Sequence, residues 1–335
     1  MHPAQWWQSA CAGVQCTLCP FNCFIPEGMR GICNVRANVA GELKTLVYAQ
    51  PVSLHVDPIE KKPFYHLYPG SRAFSVSTVG CNLNCAFCQN WEISQVQPEQ
   101  AKGEYVPPAK LVEMAQRAGC RSIAYTYGEP TVFYEYMLET AKLARRAGLA
   151  NVMVSAGYIN WPPLRELLPY LDAVKIDLKG FNEGFYRRVV KGELRYVLRT
   201  LRKLSRAGML TELVNLVVPT LNDNMDEIRQ MCRWVVQNMG PDTPLSFSRF
   251  TPHYQLQNLP PTPVETLERA YAVGRQEGLN YVYVGNVVGH PTESTFCPTC
   301  NRVMIKRYGY AVQGIFMDAE GRCPYDGTKI YGKWG

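Results

Sequence analysis

The 335-residue sequence has no apolar run approaching the length of a membrane span, and its first ten residues, MHPAQWWQSA, lack the basic start and apolar stretch of a secretory leader. A cytoplasmic protein with no membrane partner is therefore predicted. A block of like charge is also missing. The 35 basic and 28 acidic residues leave a formal charge of +7 spread along the chain, which permits an anionic substrate or a nucleic acid and argues for neither. Cysteine, in contrast, is abundant, with 13 residues. In a reducing compartment, clustered cysteines read as metal or redox ligands rather than disulfides.

The most informative absence is a fourth cysteine in the central motif. Cys81, Cys85 and Cys88 are spaced C-x3-C-x2-C. A closed structural metal site takes four protein ligands, whereas three thiolates suit a four-iron cluster with one iron left open to a small molecule. Two further groups flank this triad. Cys16, Cys19, Cys23 and Cys33 supply four thiolates, enough for zinc or for an auxiliary iron-sulfur cluster. Cys297, Cys300 and Cys323 lie in Cys-Pro-x-Cys and Cys-Pro-Tyr-Asp knuckles that read as a zinc ribbon with one incomplete knuckle, Asp326 or His290 standing as the fourth ligand. Cys11, Cys120 and Cys232 stand alone, and the last two read as small core hydrophobes.

Three regions follow from the patterning. Residues 1–72 form a cysteine-rich irregular segment with turn signals at Pro26-Glu-Gly28, Arg30-Gly31 and Pro69-Gly70. From residue 73 to residue 285, short β-type runs alternate with amphipathic helical runs, the signature of β/α units around a parallel sheet. Strands are predicted at Ala73–Thr78, Ser122–Tyr125, Asn151–Ser155, Ala173–Asp177, Leu213–Val218, Leu245–Arg249 and Tyr281–Val284. Helices are predicted at Pro108–Ala118, Phe133–Ala147, Leu164–Tyr170, Val197–Ala207, Met225–Val236 and Val264–Glu277, several ending in an Ala-Gly cap. The alternation stops after residue 285, and residues 286–335 form the cysteine-rich ribbon. In parallel β/α sheets the carboxyl ends of strands carry function, and the triad follows the first strand at that end.

Taken with their strand context, these residues resemble the radical S-adenosylmethionine (SAM) superfamily. Phe87 stands before the third cysteine, where the family has an aromatic near the adenine. Gly128, Glu129 and Pro130 follow the second strand, where a Gly-Gly-Glu-like motif holds the methionine amino group. Asp177-Leu-Lys179 stands at the fourth strand, and Asn215 with Pro219 falls in the apolar fifth strand and the Val-Pro that ends it. Ser155 precedes Ala156 where relatives often carry an Asn that meets the SAM ribose. The resemblance implies a partial (β/α)6-type barrel, a [4Fe-4S] cluster, SAM as the second cofactor, and reductive cleavage of SAM to a 5'-deoxyadenosyl radical.

At finer grain the chain is similar to pyruvate formate-lyase activating enzymes and to the AmmeMemoRadiSam system radical SAM enzymes. That likeness rests on Cys16-Thr-Leu-Cys19-Pro-Phe-Asn-Cys23, on Leu54 to Pro63, on Ser246 to Pro252 and on Gly285 to His290. It implies a reductant such as flavodoxin or ferredoxin and a Memo-like partner. The substrate, a small molecule or a protein, is left open. His55, in an acid- and base-rich stretch before the first strand, and His253, after the sixth, are candidate catalytic residues facing that substrate. Two other functions are weighed: an activase that makes a glycyl radical on a protein partner, and a non-catalytic zinc-ribbon RNA-binding or scaffold protein.

Overall fold

The computed structural model describes residues 1–101 and 103–335. Its centre is an eight-stranded sheet: β1 (Ser53–Pro58), β2 (Arg72–Ser77), β3 (Ser122–Tyr125), β4 (Ala150–Ser155), β5 (Ala173–Asp177), β6 (Thr211–Val217), β7 (Leu245–Arg249) and β8 (Val282–Gly285). The strands lie side by side in chain order, all parallel except β1, which pairs antiparallel with β2. Most residues of β2 to β8 are buried, as expected when both faces of a parallel sheet are covered. The partial α/β barrel read from the sequence is thus the observed architecture.

Helices α1 (Pro108–Arg117), α2 (Tyr134–Arg146), α3 (Trp161–Leu167), α4 (Leu194–Arg206), α5 (Met225–Met239) and α6 (Val264–Gln276) connect the strands. Their ends obey local chemistry. Asn224 caps α5 by accepting from the Asp226 and Glu227 N–H groups. Helix α3 begins earlier than its apolar pattern suggested because Pro162 and Pro163 fall in its first turn, where an N–H is not needed.

The cysteine-rich segment before the barrel is mostly turns around two small antiparallel sheets. One joins His2–Pro3, Glu42–Thr45 and Arg36–Val39; the other joins Trp7–Ala10, Gly13–Cys16 and Phe24–Pro26. A buried ion pair fastens it to the barrel: Arg36 Nη1 lies 3.0 Å from Glu135 Oε1 of α2, which also accepts from the Gln5 N–H at 2.7 Å. The C-terminal tail is a ribbon of Thr295–Phe296, Val303–Tyr308 and Ala311–Ile315.

Strand β1 was not expected from the sequence. The chain after it, from Ile59 to Leu67, packs with Ala73, Ala124, Val152 and Ala173, small residues on β2 to β5. Its backbone is held by buried charges: Glu212 of β6 accepts from the Tyr65 and His66 N–H groups at 3.0 Å each, and Lys175 of β5 donates to the Pro63 carbonyl. Arg307 of the ribbon donates to the Tyr65 carbonyl at 2.7 Å, so the tail and this segment brace each other.

Candidate active site

The carboxyl ends of β2 to β8 open into one cavity of ≈ 430 Å³. Cys81, Cys85 and Cys88 line it, carried on the loop that leaves β2. That loop is fixed on several sides. The Ala86 N–H donates to the Val189 carbonyl at 2.9 Å, and the Asn84 N–H to the Val190 carbonyl at 3.3 Å. Both carbonyls belong to a π-helical turn, Tyr186–Val190, an irregularity often found at functional sites and not foreseen from the sequence. From another side the Gln255 N–H donates to the Ala86 carbonyl at 3.0 Å. Asn90 and Gln95 tie the loop's end through bonds to the Tyr127 and Leu83 carbonyls.

The three sulfurs sit in different surroundings. Cys81 Sγ accepts from the Leu83 N–H at 3.3 Å, Cys88 Sγ lies 3.2 Å from Ser94 Oγ, and Cys85 is buried. Burial pushes the Cys85 thiol up to about 12, while the nearby Lys179 ammonium pulls it down. Such thiols ionise only when a metal centre or cation stabilises the thiolate. Among the described residues, the one group whose ligand atoms all lie within 4.8 Å of one another is the C-terminal one. The triad is not such a group, and three thiols lining an open cavity would suit a cluster bound through three of its irons.

Glu129 is buried at the wall of the same cavity. Its Oε1 accepts from Thr131 N–H at 3.1 Å, Thr131 Oγ1 at 2.7 Å and Ser155 Oγ at 2.7 Å; its Oε2 accepts from the Ala156 N–H at 2.8 Å. The carboxylate is thus oriented and left with acceptor capacity for a ligand ammonium. Gly128 is required beside it: a Cβ there would lie 2.8 Å from Ser77 Oγ and 3.2 Å from the Thr78 carbonyl oxygen, so only glycine lets the Glu129 loop rest on the start of the triad loop. Ser155, expected at the ribose, instead spends its hydroxyl proton on Glu129 and accepts from the Gly157 N–H at 2.9 Å.

Lys179 Nζ lies 3.0 Å from Asp177 Oδ2 and 5.7 Å from the centre of the Phe87 ring. Burial opposes its charge, but the Asp177 carboxylate and the Cys85 sulfur outweigh that and hold it protonated. Asp177, Lys179 and Phe87 all line the cavity.

The remaining expected residues lie elsewhere. Asn215 points away from the cavity and donates to the Leu178 carbonyl at 2.7 Å; its face of β6 is opposite to that of Val214 and Leu216, which do line the cavity. Pro130 opens the buried turn Pro130–Phe133, and Pro219 is buried behind the strand end; neither lines the cavity. His55 is exposed on β1 with its ring edge-on to Tyr127 at 5.8 Å, and His253 is exposed in a turn that supports the triad loop through its neighbours, Gln255 and Tyr254, the latter stacked on Trp91 at 5.4 Å. Neither histidine is among the residues that line the cavity.

The acid- and base-rich stretch before the first strand, open in the sequence between a substrate mouth and a solvated charge run, lines the cavity with Glu60, Lys61, Lys62, Pro63 and Tyr65, beside Tyr127, Asn286 and Tyr310. Here Asp57 accepts from Lys61 Nζ at 2.8 Å, Lys62 Nζ at 2.8 Å, Ser75 Oγ at 2.7 Å and the Tyr127 hydroxyl. Burial raises its carboxyl, yet these four donors together hold it well below the usual carboxylate range. Lys62 Nζ also sits 3.8 Å above the Tyr127 ring, and burial lowers its ammonium to about 8 against the pull of Asp57. The charged stretch at residues 57–62 signalled a functional wall; its assembly needed β1, whose pairing no local pattern announced.

In the ribbon, Cys297 Sγ lies 3.4 Å from Asp326 Oδ2, and Cys300 Sγ lies 3.6 Å from Cys323 Sγ. Three thiols and one carboxylate lie within 4.8 Å of one another, a donor set that suits zinc. His290 is not among them. Its Nδ1 is 2.7 Å from Thr292 Oγ1 and its Nε2 3.4 Å from Glu268 Oε1.

Comparison with known proteins bears on this arrangement. The family model described as the radical SAM superfamily matches residues 75–235. The chain is 45% identical over 318 residues to an uncharacterized protein of Methanocaldococcus jannaschii, MJ0808, covering 95% of each chain. It is 24% identical over 174 residues to the pyruvate formate-lyase-activating enzyme of Clostridium pasteurianum, covering 51% of this chain and 71% of that one. Among solved structures, a radical SAM methyltransferase from Sphaerobacter thermophilus shares the fold at a TM-score of 0.52 and 16% identity, over 65% of this chain and 67% of that one. Among the described residues, no helix is long and apolar enough to cross a membrane.

Proposed function

This chain belongs to the radical SAM superfamily, and from that premise we propose that it abstracts a hydrogen atom from a small anionic substrate held against the Lys61–Lys62 wall. The observation that carries the proposal is the single cavity, which joins the triad and Glu129 on one side to a cationic, tyrosine-lined wall on the other. Its volume of ≈ 430 Å³ lies toward the lower end of small-molecule pockets, roughly 300–1,000 Å³.

When bound, a [4Fe-4S] cluster reduced by an external donor would supply one electron to the sulfonium of SAM, breaking its S–C5' bond to give methionine and a 5'-deoxyadenosyl radical and leaving the cluster oxidised. Cys81, Cys85 and Cys88 would hold that cluster, and Lys179 would offset part of its negative charge. Glu129 accepts from the methionine ammonium and orients it, its own geometry set by Thr131, Ser155 and the Ala156 N–H. Phe87 gives a flat apolar surface for the adenine. Lys61 and Lys62, locked by Asp57, attract an anionic group such as a carboxylate or phosphate, and Tyr65, Tyr127 and Tyr310 exclude water from around the radical.

An activase reading has one observation in its favour: the Clostridium pasteurianum relative is named as an activating enzyme. Under that reading the substrate is a glycine on a protein partner. The segment from Glu60 to Tyr65, held by Arg307, and the ribbon residue Tyr310 line the cavity together with Lys61 and Lys62, which supports the small molecule instead. An external one-electron donor of the flavodoxin or ferredoxin kind is required in either case, whereas a Memo-like partner rests on the sequence resemblance alone. Anaerobic reconstitution with iron and sulfide, reduction, and assay for 5'-deoxyadenosine test the chemistry. Enhancement of that product by anionic metabolites supports the small-molecule reading; enhancement only by a glycyl-radical protein would replace it.

A further inference from the structure

The mechanism makes no use of the N-terminal cysteines, yet Cys16, Cys19, Cys23 and Cys33 all line a second, mainly apolar cavity. Cys16, Cys19 and Cys33 are buried and Cys23 half-buried, and none is in a disulfide.

Two buried side chains reach this cavity with polar atoms left unpartnered. Arg36 lines it, is 1% exposed, and is paired with Glu135 through Nη1, but its Nε–H has no acceptor. Asn82 lines it as well. Its Nδ2 donates to the Tyr158 carbonyl at 2.8 Å, while its Oδ1 has no partner. A buried N–H without an acceptor is destabilising, and a sulfur-rich anionic centre would give Arg36 that acceptor while its guanidinium balanced charge.

Geometry decides between zinc and iron-sulfur. A zinc ion draws four ligand atoms into one tight tetrahedron, as the ribbon's Cys297, Cys300, Cys323 and Asp326 already are, within 4.8 Å of one another. Cys16, Cys19, Cys23 and Cys33 line one cavity and, like the triad, are not among the groups that close to that radius. We infer that Cys16, Cys19, Cys23 and Cys33 hold a second iron-sulfur cluster, with Arg36 Nε–H as a donor to it. The site shares a wall with the first one. Asn82 follows Cys81 on the triad loop but turns its side chain to Cys19, and Thr131, which lines the second cavity, is also a donor to Glu129.

The test uses the full chain with the triad removed, Cys81→Ala/Cys85→Ala/Cys88→Ala, made and purified anaerobically. The inference predicts about two or about four irons per chain, which also gives the nuclearity, together with one zinc and a paramagnetic signal on reduction. Iron absent and zinc near two per chain would overturn it, as would iron absent with zinc near one. Should this variant fail to fold, iron counting and Mössbauer spectroscopy of the unaltered protein still decide: one three-cysteine cluster alone contradicts the inference, two clusters support it. The outcome is separable from the radical chemistry. A wrong assignment of the triad leaves iron content equal in variant and parent, whereas a wrong assignment of the quartet leaves the variant without iron.

Discussion

Ser155 Oγ donates to Glu129 Oε1 at 2.7 Å, so a residue at the end of β4 sets the carboxylate at the end of β3. Oε1 is saturated by three donors, while Oε2 keeps the Ala156 N–H alone and has room for a ligand ammonium. Glu129→Gln removes a charge-assisted bond worth about 1.5–3 kcal/mol and should weaken SAM binding by roughly 10- to 150-fold. Ser155→Ala, losing about 1 kcal/mol of positioning, should weaken it about fivefold. Equilibrium binding of SAM to the reconstituted protein checks both, with iron content unchanged in each variant.

Asp57 gives a contrast between two lysines. Lys62 is 2% exposed on its side chain and Lys61 is 44% exposed, although both lie 2.8 Å from the same carboxylate. Asp57→Ala strands a buried ammonium and should cost about 3–5 kcal/mol in thermal or denaturant unfolding, whereas Lys61→Ala should cost less than about 1 kcal/mol. Lys62→Met should leave slow, substrate-free cleavage of SAM intact and remove any enhancement by an anionic substrate.

How far the sequence reached is visible in this pair of sites. Cys81, Cys85 and Cys88 were legible from their own spacing after an unambiguous strand, whereas Glu129 and Lys179 were placed through the resemblance to the radical SAM superfamily. Asp57 and Lys62 were seen only as a charged stretch, since β1 is a two-faced edge strand with exposed His55 and Val56 and pairs antiparallel against the trend of the sheet. The misplacement of Asn215 has a simple cause. Strand side chains alternate, and its neighbours Val214 and Leu216 take the cavity face. The π-helical turn behind the triad had no signal that periodicity could register.

His66 should make stability acid-sensitive. Its Nδ1–H donates to the Tyr331 carbonyl and its Nε2 accepts from the Tyr283 hydroxyl at 2.6 Å, so the folded protein holds it neutral. Burial lowers it from 6.5 to about 4, against the opposing pull of Glu212. The unfolded chain therefore binds the extra proton first as pH falls, and stability is lost between about pH 6.5 and pH 4, by roughly 3 kcal/mol in full. The difference between parent and His66→Gln in chemical unfolding, measured across that window, isolates this contribution from loss of metal.

The ribbon metal should depend on its carboxylate. Asp326→Ala leaves three thiolates and should weaken zinc retention by more than the roughly 10- to 100-fold that loss of an outer-shell partner costs. Competition with a chromophoric chelator measures it. Stripping the metal should also loosen Tyr310 at the cavity mouth, seen as faster proteolysis of residues 297–326.

The central claim is that the Cys81–Cys85–Cys88 site cleaves SAM reductively. Anaerobically reconstituted protein, given a low-potential reductant and SAM, should release 5'-deoxyadenosine and methionine in equal amounts, and Cys85→Ala should release neither while keeping the ribbon zinc. Formation of a cluster and binding of SAM by the parent protein without any 5'-deoxyadenosine, or product undiminished in Cys85→Ala, would contradict the account.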